Sequence, residues 1–165
     1  MQLIKIIAYI CNMKNEVYID YENSIGPWLG KTVMLIAHYL MDVLKNEGLD
    51  ITKDQIVLLK KLYFKDGINQ NDLAFMMFRN KSSLARMLKI MERKGFIKRE
   101  KSKIDKRNNH VFLTDLGRET FERIQPLLKD LIEKEEKGIT IEEKKIVISV
   151  LKKMQSNIGV KSEIL

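Results

Sequence analysis

Ser82, Arg86, Lys89 and Arg93 recur at steps of four, three and four residues, the spacing of one stripe along a helix. Within the same stretch Leu84, Met87, Leu88 and Met91 fall at i, i+3, i+4 and i+7 and form a second stripe on a different side. One face is suited to packing and the other offers cations and hydroxyls. Lys81, Ser82 and Ser83 stand at the N-terminal end, where backbone amides are free to donate. Arg can bond a guanine edge bidentately and Ser can donate or accept at several bases, so these side chains together could read a DNA duplex in its major groove. A lone basic helix is more often an ordinary solvated face.

The following residues shift that balance. "FIKRE" and "HVFLT" are β-prone runs joined by the polar tip "KSKIDKRNN", the pattern of a hairpin. Lys98, Arg99, Lys101, Lys103, Lys106 and Arg107 are concentrated there, and a protruding β-ribbon can lie along phosphates or enter a minor groove. Residues 79–109 carry 12 Lys and Arg against 3 Asp and Glu, whereas the rest of the chain carries 18 against 19. The whole formal charge of +8 is therefore confined to one segment, and a polyanion is its natural partner.

These residues need elements to hold them. Asn80 is placed to cap a helix running to Lys94 and closed by Gly95, and Asn69 with Asp72 opens a short helix before it, so the two form a helix-turn-helix. Upstream, apolar residues from Trp28 to Leu44 recur at helical steps over about Ser24–Glu47, ended by Gly48. Thr52 is the N-cap of a second helix with Ile56, Leu59, Leu62 and Tyr63 on its apolar stripe. Thr114 caps a long helix toward Lys137, which Pro126 should bend, and Thr140 with Glu143 forms a capping box for a last helix reaching about Ser156. The 165 residues suit one mainly helical domain with a small β-hairpin. One cysteine excludes an internal disulfide, and two distant histidines leave no zinc site, so neither metal nor cofactor is expected. No glycine-rich cofactor loop, paired carboxylates or nucleophile–base pair is present, which argues against an enzyme.

From "INQNDLAFMMF" through "KSSLARML", "KGFIKR" and "DKR" to "LTDLG", the chain resembles the winged helix-turn-helix of MarR-family transcriptional regulators. Each motif is weak alone; their order and spacing are specific, and the resemblance covers roughly residues 24–157. It implies a single domain over 1–165, with a DNA-binding lobe at 52–114 and dimerization helices at 1–47 and 115–165. Carried onto matching residues, it implies that Lys81, Ser82, Ser83 and Arg86 face the major groove, with Lys89 on the same face. Arg107, held by Asp105, would enter the minor groove, where a narrow groove attracts a cation. Lys98, Arg99, Lys101, Lys103 and Lys106 would attract phosphates. The same resemblance implies a homodimer on a pseudo-palindromic operator of double-stranded DNA, acting as a repressor and released by a small aromatic ligand. Trp28, His38, Tyr39 and Tyr63 are the candidates to line that ligand's crevice, with simple core packing as their other reading.

Ile146, Val147, Val150 and Leu151 could form part of a dimer core, or be covered by the chain itself. Cys11 raises the alternative of a cysteine-based redox regulator, but its apolar neighbours "AYI" should raise the thiol pKa and blunt its reactivity. A winged helix that binds only protein is another alternative, one that leaves the basic segment without a purpose. "MQLIKIIAYIC" is too short to span a membrane, shows no small-residue cleavage pattern, and has Ile10 where a lipoprotein site needs a small residue. It is either a segment packed on the body or lies upstream of a start at Met13, and a cytoplasmic protein is expected in both cases.

Overall fold

A computed structural model describes residues 20–101 and 109–159. Its contacts divide the chain into two units, residues 1–36 and 37–165. The elements are α1 (Ile25–Asn46), α2 (Lys53–Phe64), β1 (Ile68–Asn69), α3 (Gln70–Met76), α4 (Lys81–Arg93), β2 (Ile97–Lys101), β3 (Asn109–Leu113), α5 (Asp115–Glu135) and α6 (Ile141–Asn157). This is the expected mainly helical architecture with a hairpin.

The helix starts follow from side-chain chemistry. Thr52 accepts from the Gln55 amide while Gln55 reaches back to the Thr52 amide, a complete capping box. Asn69 and Asn80 accept from the amides of Asn71 and Ser83. Thr114 accepts from Gly117, and Thr140 forms the second box with Glu143. Each such cap stabilises its helix by about 1 kcal/mol. The Thr140 backbone amide, and after it the Thr140 side chain, bond the Glu143 carboxyl and hold it below its ordinary pKa.

The sheet has three antiparallel strands in the order β1-β3-β2, one more than the expected hairpin. Ile68 pairs with Val111, and Ile97 with Leu113, so the added strand covers the outer edge of β3. A two-residue strand has no periodicity from which sequence could reveal it; here its backbone is recruited by the partner. Leu58, Leu59 and Leu62 of α2, Leu73 of α3, Leu84, Leu88 and Met91 of α4, Ile97 and Val111 of the sheet and Ile124 of α5 are fully buried in one core. Each buried leucine or isoleucine contributes about 2 kcal/mol relative to exposure, which locks α4's apolar stripe inward. Leu127, Leu128 and Leu131 pack at the core's margin, and α5 continues through Pro126. On α1 only Leu40 and Leu44 are buried.

Three helix ends close in the same way, with a six-to-one and a five-to-two backbone bond. At α1 these are Leu49 N to Leu44 O and Gly48 N to Lys45 O; at α4, Phe96 N to Met91 O and Gly95 N to Glu92 O. The third is the turn inside the helix-turn-helix, where Arg79 N bonds Ala74 O at 2.9 Å and Phe78 N bonds Phe75 O at 3.0 Å. The left-handed position is glycine in the first two and Phe78, at φ 50°, in the third. A side chain there costs about 1–2 kcal/mol in Cβ–carbonyl crowding, and Phe78 stays 63% exposed, so packing offsets little of that cost. Phe78→Gly is accordingly expected to raise stability by about 1 kcal/mol, or about 2–4 °C in thermal midpoint. A lower midpoint in circular dichroism melts would show that the exposed ring is making a contact the strain argument omits.

Candidate nucleic-acid interface

On α4, Lys81, Ser82, Arg86, Lys89 and Arg93 are exposed, and Leu84, Met87, Leu88 and Met91 are buried. Core packing therefore fixes which side of the helix faces outward, and that side is cationic. The N-terminal turn is tightly ordered: the Asn80 side-chain oxygen accepts from both the Ser82 hydroxyl at 2.9 Å and the Ser83 amide at 2.8 Å. Ser82 keeps its lone pairs for an incoming donor. Ser83 is half-buried, and its hydroxyl oxygen accepts from Arg79 Nη1 at 2.8 Å, so it is less available than Ser82.

Several cations of the basic segment are held by carboxylates. Arg79 is paired with Asp54 in the first turn of α2. Lys94 donates to the backbone and side-chain oxygens of Asp50, both at 2.6 Å. Arg99 donates through Nε and Nη2 to Glu92 Oε2, at 3.1 and 2.5 Å, and thereby ties β2 to the end of α4. That bond holds the Glu92 carboxyl below its ordinary pKa. Lys98 lies 2.8 Å from Glu100, whose hydrogen bond raises the lysine's pKa. Lys98 and Arg99 thus each have a carboxylate partner within the protein. Lys81, Arg86, Lys89, Arg93 and Lys101 have no ion pair among the described residues. The tip residues Lys103, Asp105, Lys106 and Arg107 lie outside the described residues.

Sequence reasoning missed Asp50, Asp54 and Glu92 as partners. Asp50 and Asp54 lie 44 and 25 residues from the cations they hold, and no spacing rule links such positions. Glu92 precedes Arg99 by seven residues across the Gly95 turn, so helix periodicity did not pair them.

The aromatic candidates occupy separate surroundings. In the first unit, Trp28 Nε1 donates to Glu22 O at 2.7 Å, and Trp28 lines a shallow recess with Tyr21, Pro27 and Lys31. His38 is exposed, with Nε2 3.6 Å from Asp42. Tyr39 Oη accepts from Lys134 Nζ at 2.9 Å, and that ammonium lies 4.2 Å from the ring centroid. Tyr63 packs on Phe121 and bonds Glu122 at 3.1 Å, with Arg118 over its ring. Cys11 lies outside the described residues. Among those described, no cluster of His, Cys, Asp or Glu is placed to hold a metal, and no helix is long and apolar enough to cross a membrane.

A helix-turn-helix followed by a β-hairpin, with the second helix presenting its polar face outward, defines a winged helix-turn-helix. The MarR family model matches residues 51–108. The transcriptional regulator HosA of Escherichia coli O157:H7 is 32% identical over 108 residues, which is 65% of this chain and 79% of HosA. The HTH-type transcriptional regulator YdgJ of Bacillus subtilis is 32% identical over 109 residues, 66% of each protein, so the match spans just under two thirds of that relative. The structure also superimposes on that of an S. aureus MepR–DNA complex with a TM-score of 0.75 at 24% identity, covering 81% of this chain and 98% of the other. The chain belongs to the MarR family of winged helix-turn-helix transcriptional regulators, which are not enzymes.

Proposed function

We propose that this protein is a cytoplasmic, sequence-specific double-stranded DNA-binding repressor that works as a homodimer on a pseudo-palindromic operator. The observation that carries the reading is α4: a helix pinned by four fully or nearly buried apolar residues whose opposite side exposes Lys81, Ser82, Arg86 and Lys89. The MepR structure, solved as a complex with DNA, supports the same use of this fold. In this reading Arg86 and Ser82 read base edges, Lys81 and Lys89 meet phosphates, and the wing, with Lys101 at its described end, follows the backbone toward the adjacent minor groove, which Arg107 would enter. Occupancy of a promoter then excludes polymerase.

The reading is tested by anisotropy titrations of purified protein against genomic duplexes selected by the protein itself and against scrambled duplexes, at several salt concentrations. Affinity should fall linearly with salt on logarithmic axes, by about 0.9 per phosphate neutralised. Arg86→Ala should weaken the selected duplex by about 1–3 kcal/mol, roughly 5- to 150-fold, while leaving scrambled DNA nearly unaffected. Equal loss on both duplexes would reduce Arg86 to a phosphate contact, and a protein with no salt-dependent duplex affinity would point to a winged helix serving protein partners alone.

A further inference from the structure

Arg79 lies immediately before the N-cap of α4, and its guanidinium joins the first turns of two helices: Nη1 donates to Ser83 on α4, and Nη2 is paired with Asp54 on α2. Neither end is deeply buried; the side chains are 30% and 54% exposed. An ion pair in that setting contributes little to stability, at most about 1 kcal/mol. Its electrostatic consequence is larger, because it lies at the end of α4 where Lys81 and Ser82 are exposed, and it cancels one cation there. The turn that delivers Arg79 is itself firmly set by the Arg79 N to Ala74 O bond and by the left-handed Phe78.

Resting on the DNA-binding reading, we infer that Asp54 is a specificity-determining residue: its carboxylate competes with DNA phosphates for Arg79 and so suppresses indiscriminate binding. A phosphate contact adds affinity to every sequence alike, whereas base contacts discriminate. A cation kept from the backbone lowers binding to random DNA without removing a base contact. The bond from Arg79 to Ser83 has a second effect, since the same guanidinium fixes the first turn of α4 from which Ser82 is presented. Asp54 acts through Arg79 and touches no base in this scheme; it is a positioning residue.

The test compares wild type, Asp54→Asn, Arg79→Gln and the double variant on a wild-type-selected duplex and on a scrambled one, across a fourfold range of salt. Asp54→Asn should steepen the salt dependence by about 0.9 for each protomer on the duplex, about 1.8 for the proposed dimer, the contribution of one phosphate per freed Arg79. Scrambled-DNA affinity at low salt should rise about threefold, and the ratio of selected to scrambled affinity should fall. In the Arg79→Gln background the Asp54 substitution should leave the slope unchanged. A merely structural tether predicts something else: both affinities fall together and the slope stays constant, an outcome that overturns the inference. A steepening that persists without Arg79 also overturns it, because the effect would then be the bare loss of a negative charge. If wild type bound no duplex at all, the DNA-binding reading itself would fall; if wild type binds with normal salt dependence and Asp54→Asn matches it, only the role of Asp54 is lost.

Discussion

Gly117→Ala should destabilise the protein by about 2–3 kcal/mol and lower its thermal midpoint by about 5–10 °C, although alanine is the better helix former. Gly117 is the third residue of α5. A Cβ there would lie 2.0 Å from the carbonyl oxygen of Phe96, 2.9 Å from its carbon and 3.0 Å from Leu113 Cδ1. The oxygen cannot simply withdraw, because it accepts from the Thr114 amide at 3.1 Å. Thr114 is fixed on two further sides: its hydroxyl donates to Gly95 O at 2.6 Å and accepts from the Gly117 amide at 3.0 Å. Relief would have to come from moving the end of β3 away from the turn after α4, which breaks the joint between recognition helix and wing. Intrinsic propensity favours the substitution by about 1 kcal/mol, so the two effects have opposite signs and the melt decides between them. An unchanged or higher midpoint would mean that the contact relaxes cheaply, and the rigid wing joint would have to be abandoned. The same variant should bind DNA less tightly even at temperatures where it is folded.

That glycine shows how far the sequence could be read. Its place in "LTDLG" supported the family resemblance, but its physical reason is a carbonyl 21 residues earlier in the chain, which no local pattern encodes. Features decided within a few residues were legible: the caps at Thr52, Asn69, Asn80, Thr114 and Thr140 all form as their side-chain types require. The inward stripe on α4 was legible for the same reason, since helical period and apolarity are both local. What escaped were decisions made by tertiary partners. Strand β1 exists because β3 offers it an edge, and Phe78 adopts a left-handed turn that nothing in "MMFRNK" announces. Charge allocation escaped too: counting cations over residues 79–109 treats Arg79, Lys94 and Arg99 as free, whereas carboxylates from α2, the loop before it and α4 hold them. The cationic character of α4 survives this correction because Lys81, Arg86, Lys89 and Arg93 lie on the face that the core excludes.

In the proposed homodimer, replacing Ile146 and Val147 together by Asp should yield monomers and weaken binding to a full operator by about 10²- to 10⁴-fold. The premise is the condition of α6. It is a 17-residue helix with no buried residue, and Ile146, Val147 and Ile148 are 64%, 55% and 51% exposed. In proteins most of a helix's stability comes from packing its apolar face. The Thr140–Glu143 box stabilises only the first turn. Ile146, Val147, Val150 and Leu151 lie at i, i+1, i+4 and i+5, a contiguous surface that a symmetric second copy could cover, and a two-fold interface opposes the same residues on both sides. Paired aspartates at its centre would be desolvated against each other, which is far more costly than losing two apolar contacts. The affinity loss then follows from geometry: a dimer delivers its second α4 to the next half-site at a high effective concentration, and a monomer cannot. Sedimentation measures the first effect and titration of full and half operators the second. Half-site affinity should be preserved in the variant, since α4 and the sheet are untouched. A variant that stayed dimeric, or a monomer holding the full operator as tightly as wild type, would remove α6 from the assembly.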